Sequence, residues 1–446
     1  MKIVRVIARL NVGGPAKHVV WLTKGLQTAE CKSLLVAGTV PSGEDDMGYF
    51  ATEMGVVPIF VSQMSREISP KDLLTVWKLF KLFLRERPDI VHTHTAKAGT
   101  VGRLAGLLYR WFTPGALIGH PRACCFVHTY HGHIFHSYYG PVKTRLFLLI
   151  EKVLAWLVTD QIIVVSNQQL REIKEEFGVG RAEQFSVIPL GLDMGVFANW
   201  KEGGRSFRDE LGLSPDDILV GIVGRLTEVK NHELFLRAAR VFKSEFSKQS
   251  LNRSVRFVII GDGALRNTLE RQTDSLGLAD DVIFTGSRRD LENIYPALDI
   301  VALTSRNEGT PLTLIEAMAN ARPVISTAVG GVVDLLGDSL VRTASGRDPV
   351  PNPKNPNQPF KICARGISVP PDNAAALAAG LRHLVANEEF RREMGHRSLQ
   401  FVATHYSKDR LLQGIKSLYA DLLQGKVFRS RPAGASPPSG PRADQS

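Results

Sequence analysis

Two carboxylates separated by seven residues, Glu308 and Glu316, lie in the run Ser305-Arg306-Asn307-Glu308-Gly309-Thr310-Pro311-Leu312-Thr313-Leu314-Ile315-Glu316-Ala317-Met318-Ala319. The run follows an apolar strand and opens a helix, with Pro311 where a helix can begin. At such an end the amides of residues 312–314 lack intrahelical partners and carry partial positive charge. That end suits a phosphate or the polar groups of a sugar. Glu308, in the loop, and Glu316, inside the helix, would turn acceptor oxygens toward the hydroxyls of one ligand. The plainer reading makes them a first-turn acid and a solvated surface acid, each mildly stabilising.

A second run shifts that balance. Val223-Gly224-Arg225-Leu226-Thr227-Glu228-Val229-Lys230-Asn231-His232 follows another apolar strand. Arg225 as a fork and Lys230 as a point charge fit a diphosphate, and Gly224 lets the backbone approach closely. Each feature is weak alone. Together they predict a site for a nucleotide-diphosphate sugar.

The elements that must position these residues alternate between strand and helix. Ile3–Ala8, Ser33–Ala37, Asp89–His94, a strand begun near Cys125 and closed by Thr129-Tyr130-His131-Gly132, and Ile162–Ser166 read as strands. After Trp200, the segments Leu219–Val223, Arg256–Ile260, Val282–Phe284, Ile300–Leu303 and Pro323–Ser326 repeat the pattern. The intervening stretches are amphipathic, and Ser69-Pro70-x-Asp72 predicts a helix with a capping serine and proline in its first position. An α/β chain with two doubly wound parallel sheets follows, with ligands at the C-terminal strand ends. The length of 446 residues suits two domains.

The net charge of +11 favours anionic partners. No aromatic-basic motif points to nucleic acid, so none is expected as a partner. Four cysteines without a C-x-x-C pair fit a reduced, cytosolic setting. No apolar stretch is long enough to span a membrane. Gly13-Gly14 does not complete the G-x-G-x-x-G of a dehydrogenase.

These motifs resemble glycosyltransferase family 4, whose members are retaining enzymes of the GT-B fold. The resemblance rests on Gly224-Arg225-x4-Lys230-Asn231, Gly261-Asp262-Gly263 and Glu308-x7-Glu316. Gly13-Gly14, His92-Thr-His-Thr95, Thr129-Tyr-His-Gly132, Val165-Ser166 and Gly191-Leu-Asp193-x3-Phe197 follow in order, so it covers nearly the whole chain. It looks closest to bacterial enzymes that build exopolysaccharide and surface glycans. The implied architecture is two Rossmann-like domains facing across a cleft. Residues 1–198 with a returning helix at 408–425 form the acceptor side, and residues 199–407 hold the donor. Residues 342–362, rich in proline, read as a surface insertion, and 426–446 as a disordered tail.

The resemblance implies roles for the residues. Arg225 and Lys230 neutralise the donor diphosphate, which the loop of Gly13 and Gly14 approaches. Glu316 accepts from the ribose, Glu308 from the transferred sugar, and Gly309, Thr310, Pro311 and Leu312 line the same site. His131 matches a cleft histidine near the donor sugar. The implied activity is hexosyl or N-acetylhexosaminyl transfer from a nucleotide-diphosphate sugar, a UDP-sugar above all, to a lipid-linked glycan or polyprenyl-diphosphate acceptor. Breaking the bond from the anomeric carbon to phosphate leaves negative charge on the diphosphate, which Arg225, Lys230 and helix-end amides oppose. A same-face route, in which the leaving phosphate takes the acceptor's proton, needs no protein base. The alternatives are a sugar-nucleotide epimerase of the same fold and a non-catalytic nucleotide-binding protein.

No obligatory cofactor or metal is expected. His92 and His94 alternate on one strand, and His128, His131, His133 and His136 crowd a short segment, but no carboxylate or cysteine spacing completes a zinc site. Helices 70–87 and 143–158 mix Trp, Phe and Leu with Lys71, Lys78, Lys81, Arg85, Arg87, Lys143 and Arg145. Either each buries one face with its cations in solvent, or they also dock on an acidic membrane, on its cytoplasmic face. After Gly330-Gly331 the family's Pro-Glu is replaced by Val332-Val333-Asp334.

Overall fold

The computed structural model describes residues 1–40, 46–64, 69–132, 141–246, 254–339 and 359–429. Seven strands form the first sheet: β1 (Lys2–Ile7), β2 (Lys32–Ala37), β3 (Ile59–Phe60), β4 (Ile90–His94), β5 (Cys125–Tyr130), β6 (Gln161–Val164) and β7 (Phe185–Val187). They run parallel in the order β3-β2-β1-β4-β5-β6-β7. The second sheet holds β8 (Ile218–Val223), β9 (Val255–Ile260), β10 (Val282–Gly286), β11 (Ile300–Leu303), β12 (Val324–Thr327), β13 (Lys361–Cys363) and β14 (Gly366–Val369). Its order is β10-β9-β8-β11-β12-β14-β13, parallel except for the β13–β14 pair.

Both sheets are doubly wound, as the alternation in the sequence predicts. Central strands are buried on both faces, so they read as continuous apolar runs. Ile-Leu-Val-Gly-Ile-Val in β8 is such a run. Strand order reverses between β1 and β4, and again between β8 and β11. A crevice opens at each reversal, beyond the strand ends.

Helix Lys71–Glu86 begins one residue later than the capping pattern predicts. Pro70 occupies the cap position, and the Ser69 N–H donates to Asp72 at 3.0 Å. Helix Ala96–Trp111 escaped the sequence reading because its glycines and alanines blur the apolar period. The helices Ala374–Ala386 and Glu388–His405 went unassigned as well. Asn373 caps the first of these, accepting from the Ala376 N–H at 2.9 Å.

Helix Lys408–Arg429 lays Leu411, Ile415 and Tyr419 into the same apolar cluster as Ile3, Leu22, Ile90 and Ile163 of the first sheet's layers. It continues past residue 425, so the tail expected from 426 begins no earlier than 430. The insertion expected at 342–362 also ends sooner, because Lys361 and Ile362 belong to β13. Residues 342–358, and the tail beyond 429, lie outside the described residues.

Candidate active site between the two sheets

The donor-side residues stand where β8 and β11 end. Beyond β8 the chain turns through Glu228–Lys230, and the Thr304 hydroxyl, just after β11, bonds the carbonyls of Lys230 (3.0 Å) and Asn231 (2.9 Å). The Arg306 N–H donates to the Val229 carbonyl at 2.8 Å. These bonds lock two sequence-distant loops together. Across the lock, Lys230 Nζ lies 2.6 Å from Glu308 Oε1, which also accepts from the Ser305 hydroxyl at 2.6 Å. Arg225 is exposed, and its guanidinium makes no ion pair or hydrogen bond among the described residues. The cation pair predicted for a diphosphate thus consists of one engaged lysine and one open arginine.

Glu316 is not a surface acid. It is 5% exposed, on the inner face of helix Leu312–Ala319. Its Oε2 accepts from the Tyr295 hydroxyl at 2.8 Å, and its Oε1 lies 3.0 Å from Lys17 Nζ. The Glu316 charge raises the Lys17 pKa, while burial and the same carboxylate push the Tyr295 phenol well up. The helix start keeps fewer open amides than predicted. The Leu314 N–H donates to the Pro311 carbonyl at 3.2 Å, so of residues 312–314 Leu312 and Thr313 are left without a backbone acceptor among the described residues.

Residues of the first sheet's layers close on this loop. A Cβ on Gly309 would lie 2.0 Å from the His131 carbonyl oxygen, so only glycine fits there. A Cβ on Gly14 would lie 3.1 Å from Leu312 Cδ1. The Thr310 hydroxyl reaches the Val165 carbonyl at 3.4 Å. The structure therefore brings Gly14, His131, Gly309, Thr310 and Leu312 to one seam. Gly13 immediately precedes helix Gly14–Gly25, and buried Pro311 precedes helix Leu312–Ala319. His131 Nε2 lies 3.0 Å from His94 Nδ1, and burial lowers the His131 pKa to about 3. Its ring is neutral at pH 7.

Four contributors were missed in the sequence. Lys17 and Trp21 are one helical turn apart; Lys17 meets Glu316, and Trp21 joins the apolar cluster of Tyr295, Leu314 and Ile315. Their spacing after Gly13-Gly14 was the available signal. Tyr295 carried none, since its partner is met only after folding. Asp334, in the segment that departs from the family pattern, accepts from the Gln168 N–H at 2.8 Å and so ties helix Val332–Leu336 to the other sheet's layers. His133 and His136 lie outside the described residues.

The arrangement can hold an anionic diphosphate near Arg225 and Lys230 and polar hydroxyls near Glu308 and Glu316. The chain as a whole is similar to known proteins. Residues 12–195 match the family described as Glycosyltransferase Family 4, and residues 205–346 match Glycosyl transferases group 1. The chain is 32% identical over 308 residues to the UDP-Gal:alpha-D-GlcNAc-diphosphoundecaprenol alpha-1,3-galactosyltransferase of Escherichia coli, covering 66% of this chain and 74% of that one. A D-inositol 3-phosphate glycosyltransferase of Mycobacterium marinum is 30% identical over 278 residues, 58% of this chain and 53% of its own. Among solved structures, Anabaena HepE in complex with UDP superposes with a TM-score of 0.71 at 19% identity, covering 94% of this chain and 100% of that one. Sucrose-phosphate synthase from Thermosynechococcus elongatus does so at 0.69 and 21% identity, covering 95% and 100%. With that match to the galactosyltransferase and the shared two-sheet architecture, the chain belongs to glycosyltransferase family 4 and has the GT-B fold.

Proposed function

We propose that the enzyme transfers a hexose or N-acetylhexosamine from a UDP-sugar to a lipid-diphosphate-linked glycan. The observation that carries the reading is the contact of Lys230 with Glu308 at the ends of β8 and β11, with the exposed Arg225 just after β8 and His131 of the other layer against Gly309. Arg225 and Lys230 would stabilise the charge that gathers on the departing UDP. Glu308 would hold hydroxyls of the transferred sugar, and Glu316 those of the ribose. The bond from the anomeric carbon to the UDP oxygen breaks as the acceptor oxygen bonds the same carbon. The acceptor's proton leaves with the UDP phosphate. No cofactor enters this scheme. The acceptor class is taken from the Escherichia coli relative, whose name specifies a diphosphoundecaprenol-linked sugar.

The test is incubation with UDP-galactose, with and without N-acetylglucosaminyl-diphosphoundecaprenol, and mass analysis of the lipid. Gain of one hexose on the lipid supports transfer. Free sugar-nucleotide isomer formed without acceptor would instead make the protein an epimerase.

A second reading concerns where the acceptor is met. Among the described residues no helix is long and apolar enough to cross a membrane. Helix Ala96–Trp111 packs between helices Lys71–Glu86 and Pro141–Leu157, which makes one continuous layer. That layer exposes Leu73, Trp77, Leu149 and Trp156, the last 68% exposed, beside Lys71, Lys81, Arg85 and Arg145. Phe112, Leu117 and Ile118, just after helix Ala96–Trp111, are exposed as well. Exposed apolar side chains on the same helices as exposed cations fit an anionic bilayer surface, so the enzyme would work as a peripheral membrane protein. Vesicles containing phosphatidylglycerol should bind it in a salt-sensitive way. Equal binding to neutral and anionic vesicles would contradict this reading.

A further inference from the structure

A second concave site lies at the opposite end of the second sheet from Lys230 and Glu308. A cavity of about 600 Å³ opens beside Asp299 and Pro323, the residues just before β11 and β12. Glu308 stands beyond the other end of β11. At about 3.3 Å per residue, roughly 16 Å of strand separates Asp299 from Thr304. Trp200, from the segment that joins the two sheets, lines the cavity with Arg322. Helix Glu388–His405 adds Glu389, Arg392 and His396. Arg391 Nη1 donates to the carbonyls of Leu384 (2.6 Å) and Val385 (2.8 Å), which fixes the start of that helix to the end of the helix before it.

Arg322 is the informative residue. Its side chain is half-buried, and it makes no hydrogen bond or ion pair among the described residues. Its Nε is buried without a partner, and its guanidinium carbon lies 5.7 Å from the centroid of the Trp200 ring. Burial pulls its pKa down, and the charge of Asp299, already paired with Arg208 at 3.1 Å, only partly offsets this. Arginine keeps its proton in proteins, so this is a poorly compensated cation on a cavity wall. An anion in the cavity would supply the missing partner. Arg392 and Glu389 are exposed, and neither side chain has a partner among the described residues.

We propose that this cavity binds an anionic saccharide, a pyranose carrying a phosphate or a carboxylate, at a site separate from the donor's. Arg322 and Arg392 present planar forks that match either anion with two parallel bonds. The Glu389 carboxylate accepts from sugar hydroxyls. Trp200 offers apolar surface to the C–H groups of the ring. Small-molecule pockets run to about 300–1,000 Å³, so the volume suits a ligand of one or two sugars. The inference does not depend on the assignment of the donor site.

The test is calorimetric titration of the full chain with glucose 1-phosphate, glucuronate, inorganic phosphate and glucose, each with and without saturating UDP. The expected result is one equivalent of glucose 1-phosphate or of glucuronate, bound at least about ten-fold more tightly than glucose or phosphate and unaffected by UDP. Whichever of the two binds names the anion. Arg322→Met should weaken that binding at least about ten-fold, and Glu389→Gln, at an exposed position, about three-fold. Thermal melting checks that both variants are folded. The proposal is overturned if neither anionic sugar binds more tightly than glucose and phosphate, if UDP displaces it, or if both folded variants bind as the wild type does.

Discussion

Lys17 Nζ lies 3.0 Å from Glu316 Oε1, so a lysine of the first layer holds the carboxylate proposed to bind the donor ribose in the second. A ribose hydroxyl arriving at Oε1 competes with that ammonium. The pair is largely but not fully buried, with side-chain exposures of 24% and 7%. Partly screened pairs contribute up to about 1 kcal/mol. Lys17→Met should therefore tighten UDP binding by roughly two- to five-fold in calorimetric titration. Weaker UDP binding would mean that Lys17 itself contacts the nucleotide.

Gly309 lies against the His131 carbonyl of the other layer. Gly309→Ala places a methyl group 2.0 Å from the His131 carbonyl, a distance that backbone must relieve by moving. The variant should melt near the wild-type temperature, because the seam is small beside the two cores. Its transfer rate should fall at least about ten-fold, as misplacement of the reacting groups costs more in rate than in stability. Wild-type turnover would show that the seam is irrelevant to catalysis.

Beneath His131, strand β5 is braced by a buried triad. Arg103 Nη2 lies 2.6 Å from Glu151 Oε2, and the Tyr130 hydroxyl donates to the same oxygen at 2.5 Å. Arg103 and Glu151 are almost completely buried. Removing one member leaves an uncompensated charge, at a cost of about 3–5 kcal/mol. Glu151→Ala should lower stability by that amount in urea unfolding. A change under about 1 kcal/mol would show that water reaches the vacated space.

Acid should weaken the fold earlier than carboxylates alone would. Burial lowers the His131 pKa to about 3, and burial with the Lys230 charge lowers that of His232 to about 4. Unfolded histidine binds its proton near pH 6.5, whereas these do so only at the lower values. The unfolded chain thus holds more protons between about pH 6.5 and 4, and stability falls as pH drops through that window. One such group contributes a slope of up to about 1.4 kcal/mol per pH unit. His232→Gln should flatten the pH dependence of the urea midpoint by one such contribution, while an unchanged slope would place the proton uptake elsewhere.

Much of this was legible in the residues, because the physics was local. Parallel buried strands must be apolar throughout, so β8, β9 and β11 announced themselves. Glu308, Glu316, Arg225 and Lys230 stood at strand ends, where ligands gather in such sheets. The helix Ala96–Trp111 was hidden by small residues that allow close packing and give little periodicity. Burial of Glu316 and its bonds to Lys17 and Tyr295 could not be read, since the partners are 299 and 21 positions away and meet only when the layers close.

Calorimetric titration of UDP and of uridine into the wild type and Lys230→Ala tests the donor site most directly. A charge-assisted contact to phosphate contributes about 1.5–3 kcal/mol. Lys230→Ala should thus weaken UDP by about ten-fold or more while leaving uridine unchanged. Equal UDP affinity in the two proteins would contradict the assignment of Lys230, at the ends of β8 and β11, to the diphosphate.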